Sequence, residues 1–116
     1  MEKEPADPET DRWTYVCRYD ELTPGRGVAA LVDGEQVAVF RTAGGLYALE
    51  NRDPQSGAYV ISRGIVGSRG RIPTVASPMH KDVFDLRTGA CLDTPRYALA
   101  THLVFHHRGL VFCALD

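Results

Sequence analysis

The stretch VAALVDGEQVAVF (residues 28–40) contains two apolar runs separated by the dipeptide Asp33-Gly34. A two-residue β-hairpin turn of type I′ requires a positive φ angle at both central residues, and Asp-Gly is among the pairs that adopt it most readily. The flanking runs, Val28–Val32 and Gln36–Phe40, are rich in valine, which favours strands. The stretch therefore predicts an antiparallel β-hairpin.

Residues typical of turns recur at short intervals along the rest of the sequence. The clearest are Pro24-Gly25, Gly44-Gly45, Asp53-Pro54, Ser77-Pro78, Thr88-Gly89 and Arg108-Gly109. Short apolar runs lie between them, and no stretch shows a sustained 3.6-residue period, so we expect an all-β antiparallel sandwich or barrel with little helix. Residues 13–116 should form this one domain. Residues 1–12 contain almost nothing to bury, and we expect them to form a mobile tail.

A second hairpin is predicted near the end of the chain. Residues Tyr97–Phe105 alternate in polarity and should form a strand with Tyr97, Leu99, Leu103 and Phe105 on one face. We expect His106–Gly109 to form the turn, with His106 and His107 exposed there, and Leu110–Leu115 to form the last strand.

Composition excludes several classes of protein. The 116 residues include 13 Lys and Arg against 15 Asp and Glu, a net charge of −2, which argues against nucleic-acid binding because that requires a basic face. No apolar run approaches the ~20 residues needed to span a bilayer, so no membrane partner is expected. The acidic start of the chain resembles neither a signal peptide nor a transit peptide, which predicts a cytoplasmic protein.

The three cysteines, Cys17, Cys91 and Cys113, are far apart in the sequence. They form no CxxC or CxH pair, which excludes a zinc knuckle and a thioredoxin-type motif. We expect all three to be free thiols that pack as small apolar groups.

Common catalytic motifs are absent from the sequence. No GxSxG element occurs, and Gly64, Gly67 and Gly70 form GxxGxxG rather than the dinucleotide-binding GxGxxG, so we expect them in a flexible connection between strands. A Cys-His nucleophile pair would need partners that meet in space, and nothing in the sequence places one. We therefore expect no catalytic residue in this chain.

Two Pro-containing loops carry a more specific pattern. Residues Tyr47–Gln55 run from an apolar stretch into one loop, and residues Ala76–Lys81 form another that leads into the strand and turn of Val83–Gly89. This arrangement resembles the Rieske iron–sulfur domain, in which two loops present Cys-x-His and Cys-x-x-His to a [2Fe–2S] cluster and the second loop runs into a Phe-Asp-x-x-x-Gly segment.

The resemblance does not extend to the cluster ligands. Such a cluster needs two thiolates on one iron and two imidazoles on the other. The matching positions here are Asp53 and Gln55 in the first loop and Ser77 and His80 in the second, so one ligand of four is retained. Hydroxyl and amide groups are poor substitutes for thiolate and imidazole on iron. The sequence predicts a Rieske-like domain without its cluster.

A narrower resemblance covers nearly the whole chain, from about Tyr15 to Leu115. The sequence is similar to the small subunit of bacterial assimilatory NAD(P)H-dependent nitrite reductase, a cluster-free branch of the Rieske-like fold. The segments that carry this resemblance are Asn51–Pro54, Ser62–Gly67, Ser77-Pro78, Lys81 and Phe84–Gly89.

The resemblance implies an accessory role in nitrate assimilation. In that family the large subunit carries FAD, an iron–sulfur cluster and siroheme, and reduces nitrite to ammonium. This chain would bind no cofactor or metal of its own, would be inactive in isolation, and would have the large subunit as its partner.

The tips of the two loops are the candidate docking surface, because a Rieske domain exposes them for partner binding. Their candidate residues are Arg52, Gln55, Met79, His80 and Lys81. Two alternatives remain open at this point: a Rieske-type ferredoxin that carries electrons, and a module that binds a single metal ion through Asp53 and His80. Something must also replace the cluster in holding the loops together, and we expect Asp53 to bond loop amides or to pair with an arginine such as Arg63.

Overall fold

The computed structural model describes residues 12–116, so the expected tail at residues 1–12 lies, except for its last residue, outside the described part of the chain. Nine strands and two three-residue 3₁₀ helices make up this part. The strands are β1 (Thr14–Arg18), β2 (Gly27–Val32), β3 (Glu35–Thr42), β4 (Gly45–Glu50), β5 (Ile65–Arg69), β6 (Ile72–Ala76), β7 (Val83–Asp85), β8 (Thr101–His107) and β9 (Leu110–Ala114). The 3₁₀ helices are Tyr19–Glu21 and Ile61–Arg63. The all-β prediction with little helix is confirmed.

The strands form two antiparallel sheets. A six-stranded sheet has the order β1-β9-β8-β4-β3-β2, and a three-stranded sheet has the order β5-β6-β7. The segment 51–64 crosses from β4 of the first sheet to β5 of the second, and the segment 77–82 joins β6 to β7. Both segments therefore leave their sheets at the ends of strands, where loops can face a partner.

The hairpin of β2 and β3 has the predicted turn. Asp33 and Gly34 have φ angles of 47° and 82°, and Val32 pairs with Glu35 across them. Both central residues thus lie in the left-handed region that a type I′ turn requires.

The core consists of two apolar clusters separated by β3 and β4. Ala38 and Phe40 of β3 pack towards the three-stranded sheet, whereas Val37 and Val39 pack on the opposite side, among residues of β1, β2, β8 and β9. Because successive side chains of a strand point to opposite faces, a strand buried on both sides needs an unbroken apolar run. The run Val37–Phe40 of β3 meets that need. Residues of β3 and of its neighbour β4 contribute to both clusters.

The structure corrects the predicted strand at residues 97–105. β8 begins at Thr101, and the residues before it lie along the turn at Gly89 instead: the Leu99 amide donates to the Gly89 carbonyl at 2.8 Å. Leu99 belongs to the cluster beneath the three-stranded sheet and Tyr97 packs against it, whereas Leu103 and Phe105 of the predicted face lie in β8 and outside that cluster. The alternation in the sequence therefore spans two structural environments and not one strand face.

The turn after β8 is shorter than predicted. Only Arg108 and Gly109 form it, with φ angles of 51° and 78°, while His106 and His107 lie within β8 and pair with Val111 and Leu110. Both histidines are half-buried and not exposed at a hairpin tip. The last strand ends at Ala114, one residue before the predicted end.

The glycines 64, 67 and 70 do not form a flexible connection. Gly67 lies within β5 and Gly70 in the tight turn to β6. A Cβ atom at Gly64 would come within 2.5 Å of the Ala76 carbonyl oxygen, so this glycine allows the close approach of β5 to β6.

The cysteines are free thiols, as predicted. Cys91 and Cys113 are buried and Cys17 is half-buried. Within residues 12–116, no helix is long and apolar enough to cross a membrane.

Candidate functional site

The two Pro-containing loops lie side by side at one end of the molecule. The first loop, residues 51–60, follows β4, and the second loop, residues 77–82, connects β6 to β7. β4 and β6 belong to different sheets, so the contact between these loops also joins the two sheets at this end.

A buried hydrogen bond connects the loops. The Ser77 hydroxyl donates to Asp53 Oδ2 at 2.9 Å. The exposed fraction of Asp53 is 0% and that of Ser77 is 1%. In the sequence resemblance these two residues match the two cysteine positions of the Rieske pattern, and here a direct hydrogen bond joins them.

Asp53 accepts two further hydrogen bonds within its own loop. The Gln55 amide donates to Oδ1 at 3.1 Å, and the Ser56 hydroxyl donates to Oδ2 at 3.0 Å. Burial alone raises the pKa of Asp53, but the hydrogen bonds from Gln55, Ser77 and Ser56, together with the nearby His80, outweigh it and lower the pKa. Asp53 is therefore a carboxylate at neutral pH, and its charge is stabilised by donors from both loops.

Asn51 fixes the start of the first loop. Its Nδ2 donates to Gln36 Oε1 at 3.0 Å, and its Oδ1 accepts the Ser62 amide at 2.8 Å. Its main chain makes two more hydrogen bonds: the Asn51 amide donates to the Gln36 carbonyl, and the Asn51 carbonyl accepts from the Ile61 amide. Because Asn51 is buried, loss of either side-chain bond would leave an unsatisfied polar group, so both ends of the first loop are held firmly.

The second loop is closed by its own main chain. The Ser77 amide donates to the Asp82 carbonyl, and the Lys81 amide donates to the Ser77 carbonyl, each at 2.9 Å. Lys81 has a φ angle of 63°, in the left-handed region that residues other than glycine rarely adopt. This conformation turns the chain so that residues 78–81 are all exposed at the tip.

The loop tips carry the five residues named from the sequence as the docking surface. All of them are exposed: Arg52, Gln55, Met79, His80 and Lys81. Met79 is 51% exposed, and Tyr59, which pairs with Arg52 across the first loop, is 53% exposed. The sequence analysis did not name Tyr59 as a docking residue. The only indication in the sequence was that Tyr59 lies in the first loop, eight residues after Asn51.

The expected arginine partner of Asp53 is not found. Arg63 is exposed, and within residues 12–116 no ion pair joins it to Asp53. The Gln55 amide and the Ser56 and Ser77 hydroxyls already donate to the two oxygens of Asp53. The carboxylate therefore does not need an arginine partner.

A single-metal site at Asp53 and His80 gains no support. Among the residues that the structure describes, no group of three or more His, Cys, Asp or Glu side chains could hold a metal ion. Asp53 is also turned inward to Ser77, while His80 is exposed at the tip.

Comparison with known proteins agrees with this geometry. A sequence model of the Rieske-like [2Fe–2S] domain family matches residues 12–114. The fold and the paired loops are thus those of a Rieske-like domain. The chain is also 38% identical to the nitrite reductase (NADH) small subunit of Salmonella typhimurium over 90 residues, which cover 76% of this chain and 83% of that protein. The chain therefore belongs to the family of nitrite reductase small subunits.

Two further relatives extend the comparison. A crystal structure from Mycobacterium tuberculosis, provisionally named an NADH-dependent nitrite reductase small subunit, superposes with a TM-score of 0.86 at 47% identity and covers 90% of this chain and 95% of that one. The nitrite reductase [NAD(P)H] large subunit of Klebsiella oxytoca is 36% identical over 109 residues, which are 94% of this chain but 11% of that protein. In that organism a domain of this kind is thus part of the large-subunit polypeptide.

Proposed function

We propose that this chain is the non-catalytic small subunit of an NAD(P)H-dependent nitrite reductase of nitrate assimilation, and that it docks on the large subunit through its two loop tips. The large subunit would carry FAD, an iron–sulfur cluster and siroheme and would perform the reduction of nitrite to ammonium. The observation that carries this proposal is the Asp53–Ser77 hydrogen bond, which holds the two loops together without a metal.

The chemistry of the loops supports a domain without a cluster. Asp53 and Ser77 take the two cysteine positions, and both side chains are buried and bonded to each other. Neither offers the thiolate that a [2Fe–2S] iron requires. This argues against a Rieske-type ferredoxin and leaves partner binding as the role of the exposed tips.

The charges and apolar groups at the tips support docking. Arg52, Lys81 and His80 are exposed there, while the nearby carboxylate of Asp53 is buried. Met79 adds adaptable apolar surface of the kind found at interfaces. We therefore expect the partner surface to combine acidic groups with an apolar patch.

The Klebsiella protein supports the choice of partner. A domain similar to this chain is covalently joined there to a protein named as the large subunit. Such a fusion fixes two domains at high effective concentration, which favours contact between them. Separate chains of the same kind would have to supply that contact through affinity.

The test is a binding titration between the purified large subunit and variants of this chain. Reversal of both tip charges, Arg52→Glu with Lys81→Glu, should weaken binding at least about tenfold and reduce its dependence on salt. The matched control is Arg26→Glu with Arg108→Glu at the far ends of β2 and β8, since Arg108 shares the positive φ angle of Lys81. Equal affinities for the two double variants would exclude docking through the tips.

A further inference from the structure

A second candidate site lies at the opposite end of the molecule from the loops. A cavity of about 360 Å³ opens between the turn that joins β3 to β4 and the turn that joins β5 to β6. The two loops follow the other ends of β4 and β6, so the length of these strands separates the cavity from the loop tips. It does not depend on the docking proposed above.

A buried tyrosine reaches this cavity. Tyr47 is 8% exposed, and its ring packs in the cluster beneath the three-stranded sheet. Tyr47 lines the cavity, and its hydroxyl lies beside Gly44, another lining residue. Among the described residues this oxygen is not one of the buried polar atoms that lack a partner, so it is open to the cavity and free to donate to a bound group.

A glycine keeps the hydroxyl uncovered. A Cβ atom at Gly44 would lie 3.3 Å from the Tyr47 hydroxyl oxygen. The turn around Gly44 is set by Thr42, whose Oγ1 accepts the Gly44 amide at 3.1 Å. The turn thereby forms one wall of the cavity without closing it.

Two arginines line the same cavity, and Arg71 carries the one of their two charges that is not paired with a carboxylate. Arg71 is exposed and has neither an ion pair nor a hydrogen bond to any described residue. Arg87 donates from Nε and Nη2 to the two oxygens of Asp85, at 3.1 and 3.0 Å, which fixes the guanidinium plane and leaves Nη1 free to donate. Arg71, Arg87 and the Tyr47 hydroxyl are all hydrogen-bond donors. The carboxylate beside them, that of Asp85, is already paired with Arg87.

We infer that this cavity binds a small oxyanion, the class that includes carboxylates, phosphate and nitrite. Guanidinium groups match the geometry of such anions, and the Tyr47 hydroxyl donates the further hydrogen bond. Val66 and Pro73 add apolar surface to the wall of the cavity beside these donors.

The test uses the complete chain labelled with ¹⁵N and titrated separately with sodium nitrite, sodium phosphate and sodium acetate at constant ionic strength. Acetate represents a protein carboxylate, and the other two represent free anions. At least one should shift the amide signals of Gly44, Ser68 and Arg71 saturably, while those of Gln55 and Met79 in the loops stay in place.

Variants decide whether the binding occurs in this cavity. Tyr47→Phe removes only the hydroxyl, and Arg71→Gln removes the unpaired charge; each should weaken binding about tenfold. Arg26→Gln, another exposed arginine without an ion pair among the described residues, should leave it unchanged. The inference is overturned if none of the three anions causes a saturable shift, or if both cavity variants bind as the original chain does. Retained amide dispersion shows that each variant is folded.

Discussion

Ser77 donates a hydrogen bond of 2.9 Å to Asp53 Oδ2 between two loops that are 24 residues apart in the sequence. In a metal-binding relative of this fold, metal–ligand bonds would join the same two positions, and their free energy would be part of the free energy of folding. Here a buried, charge-assisted hydrogen bond takes that place. It is weaker than metal coordination, and the additional bonds from Gln55 and Ser56 to the same carboxylate support it.

Substitution Ser77→Ala should destabilise the chain by about 1–3 kcal/mol, because it removes one donor from a buried carboxylate. Urea unfolding followed by circular dichroism measures this change. Ser56→Ala is the matched control, since its hydroxyl bonds the same oxygen from an exposed position within the first loop, and it should cost less. Hydrogen exchange should also become faster at the Lys81 amide in Ser77→Ala, because that amide bonds the Ser77 carbonyl. Equal losses in the two variants would show that the connection between the loops contributes nothing beyond a local bond.

The pKa of Asp53 predicts how stability changes with acid. Although burial raises this pKa, the hydrogen bonds lower it below its usual value of about 3.9. A lowered pKa in the folded state means that the unfolded chain binds the proton more readily, so the contribution is complete above about pH 4 and is lost as the pH falls through the folded pKa.

Asp53→Asn should therefore be less stable than the original chain at pH 7, by about 1–3 kcal/mol, and the difference should shrink at pH 3. Urea unfolding at both pH values measures it. Asp33→Asn, in the exposed hairpin turn where asparagine accepts a positive φ angle equally well, should show no such loss. A difference that stays constant between pH 7 and pH 3 would contradict the assignment of a stabilised carboxylate.

Local chemistry made some of this structure predictable. The turn at Asp33 and Gly34 follows from the φ angles that those two residues accept, and the strands on either side follow from composition. The start of β8 did not follow in this way. Leu99 has the right polarity for a strand, but its amide bonds Gly89, and the space for that contact depends on the absence of a side chain at Gly89.

The same limit applies to the candidate site. The sequence places Asp53 and Ser77 in two loops, and the resemblance to a Rieske domain predicts that these loops meet. The choice of Ser77 over Arg63 as the partner of Asp53 depends on the relative position of two sheets, which no local pattern specifies. Tyr47 shows the limit in another form, because its ring is predictable as core but the cavity beside its hydroxyl is visible only in three dimensions.

Two of the three thiols, those of Cys17 and Cys113, should react at different rates in the folded chain. Burial raises the pKa of Cys113 to about 12, and burial, followed by the charge of Glu21, raises the pKa of Cys17. Because the thiolate is the reactive form, a disulfide reagent at pH 8 should label both slowly, with half-buried Cys17 ahead of Cys113. Mass spectrometry of timed samples measures the order, and urea should make all labelling fast. Labelling of Cys113 as fast as Cys17 in native buffer would contradict its burial.

The loop geometry also predicts how a cluster could be restored. The substitutions Asp53→Cys, Gln55→His and Ser77→Cys, with His80 retained, would complete the two-thiolate, two-imidazole set of a Rieske centre. The Asp53 and Ser77 side chains already converge to 2.9 Å, so the new thiolates would start from positions that face each other.

Anaerobic reconstitution with iron and sulfide should therefore load the triple variant with about two irons per chain and give it visible absorption, whereas the original chain should stay colourless. Addition of His80→Ala to the triple variant is the control, since three ligands cannot complete the set. Iron uptake by the original chain would refute the proposal that it carries no cluster. A triple variant that folds but takes up no iron would show that the second loop no longer admits a cluster. The reason would be the closed conformation of that loop, in which Lys81 is left-handed and its amide bonds the Ser77 carbonyl, because this closure occupies the space that the cluster needs.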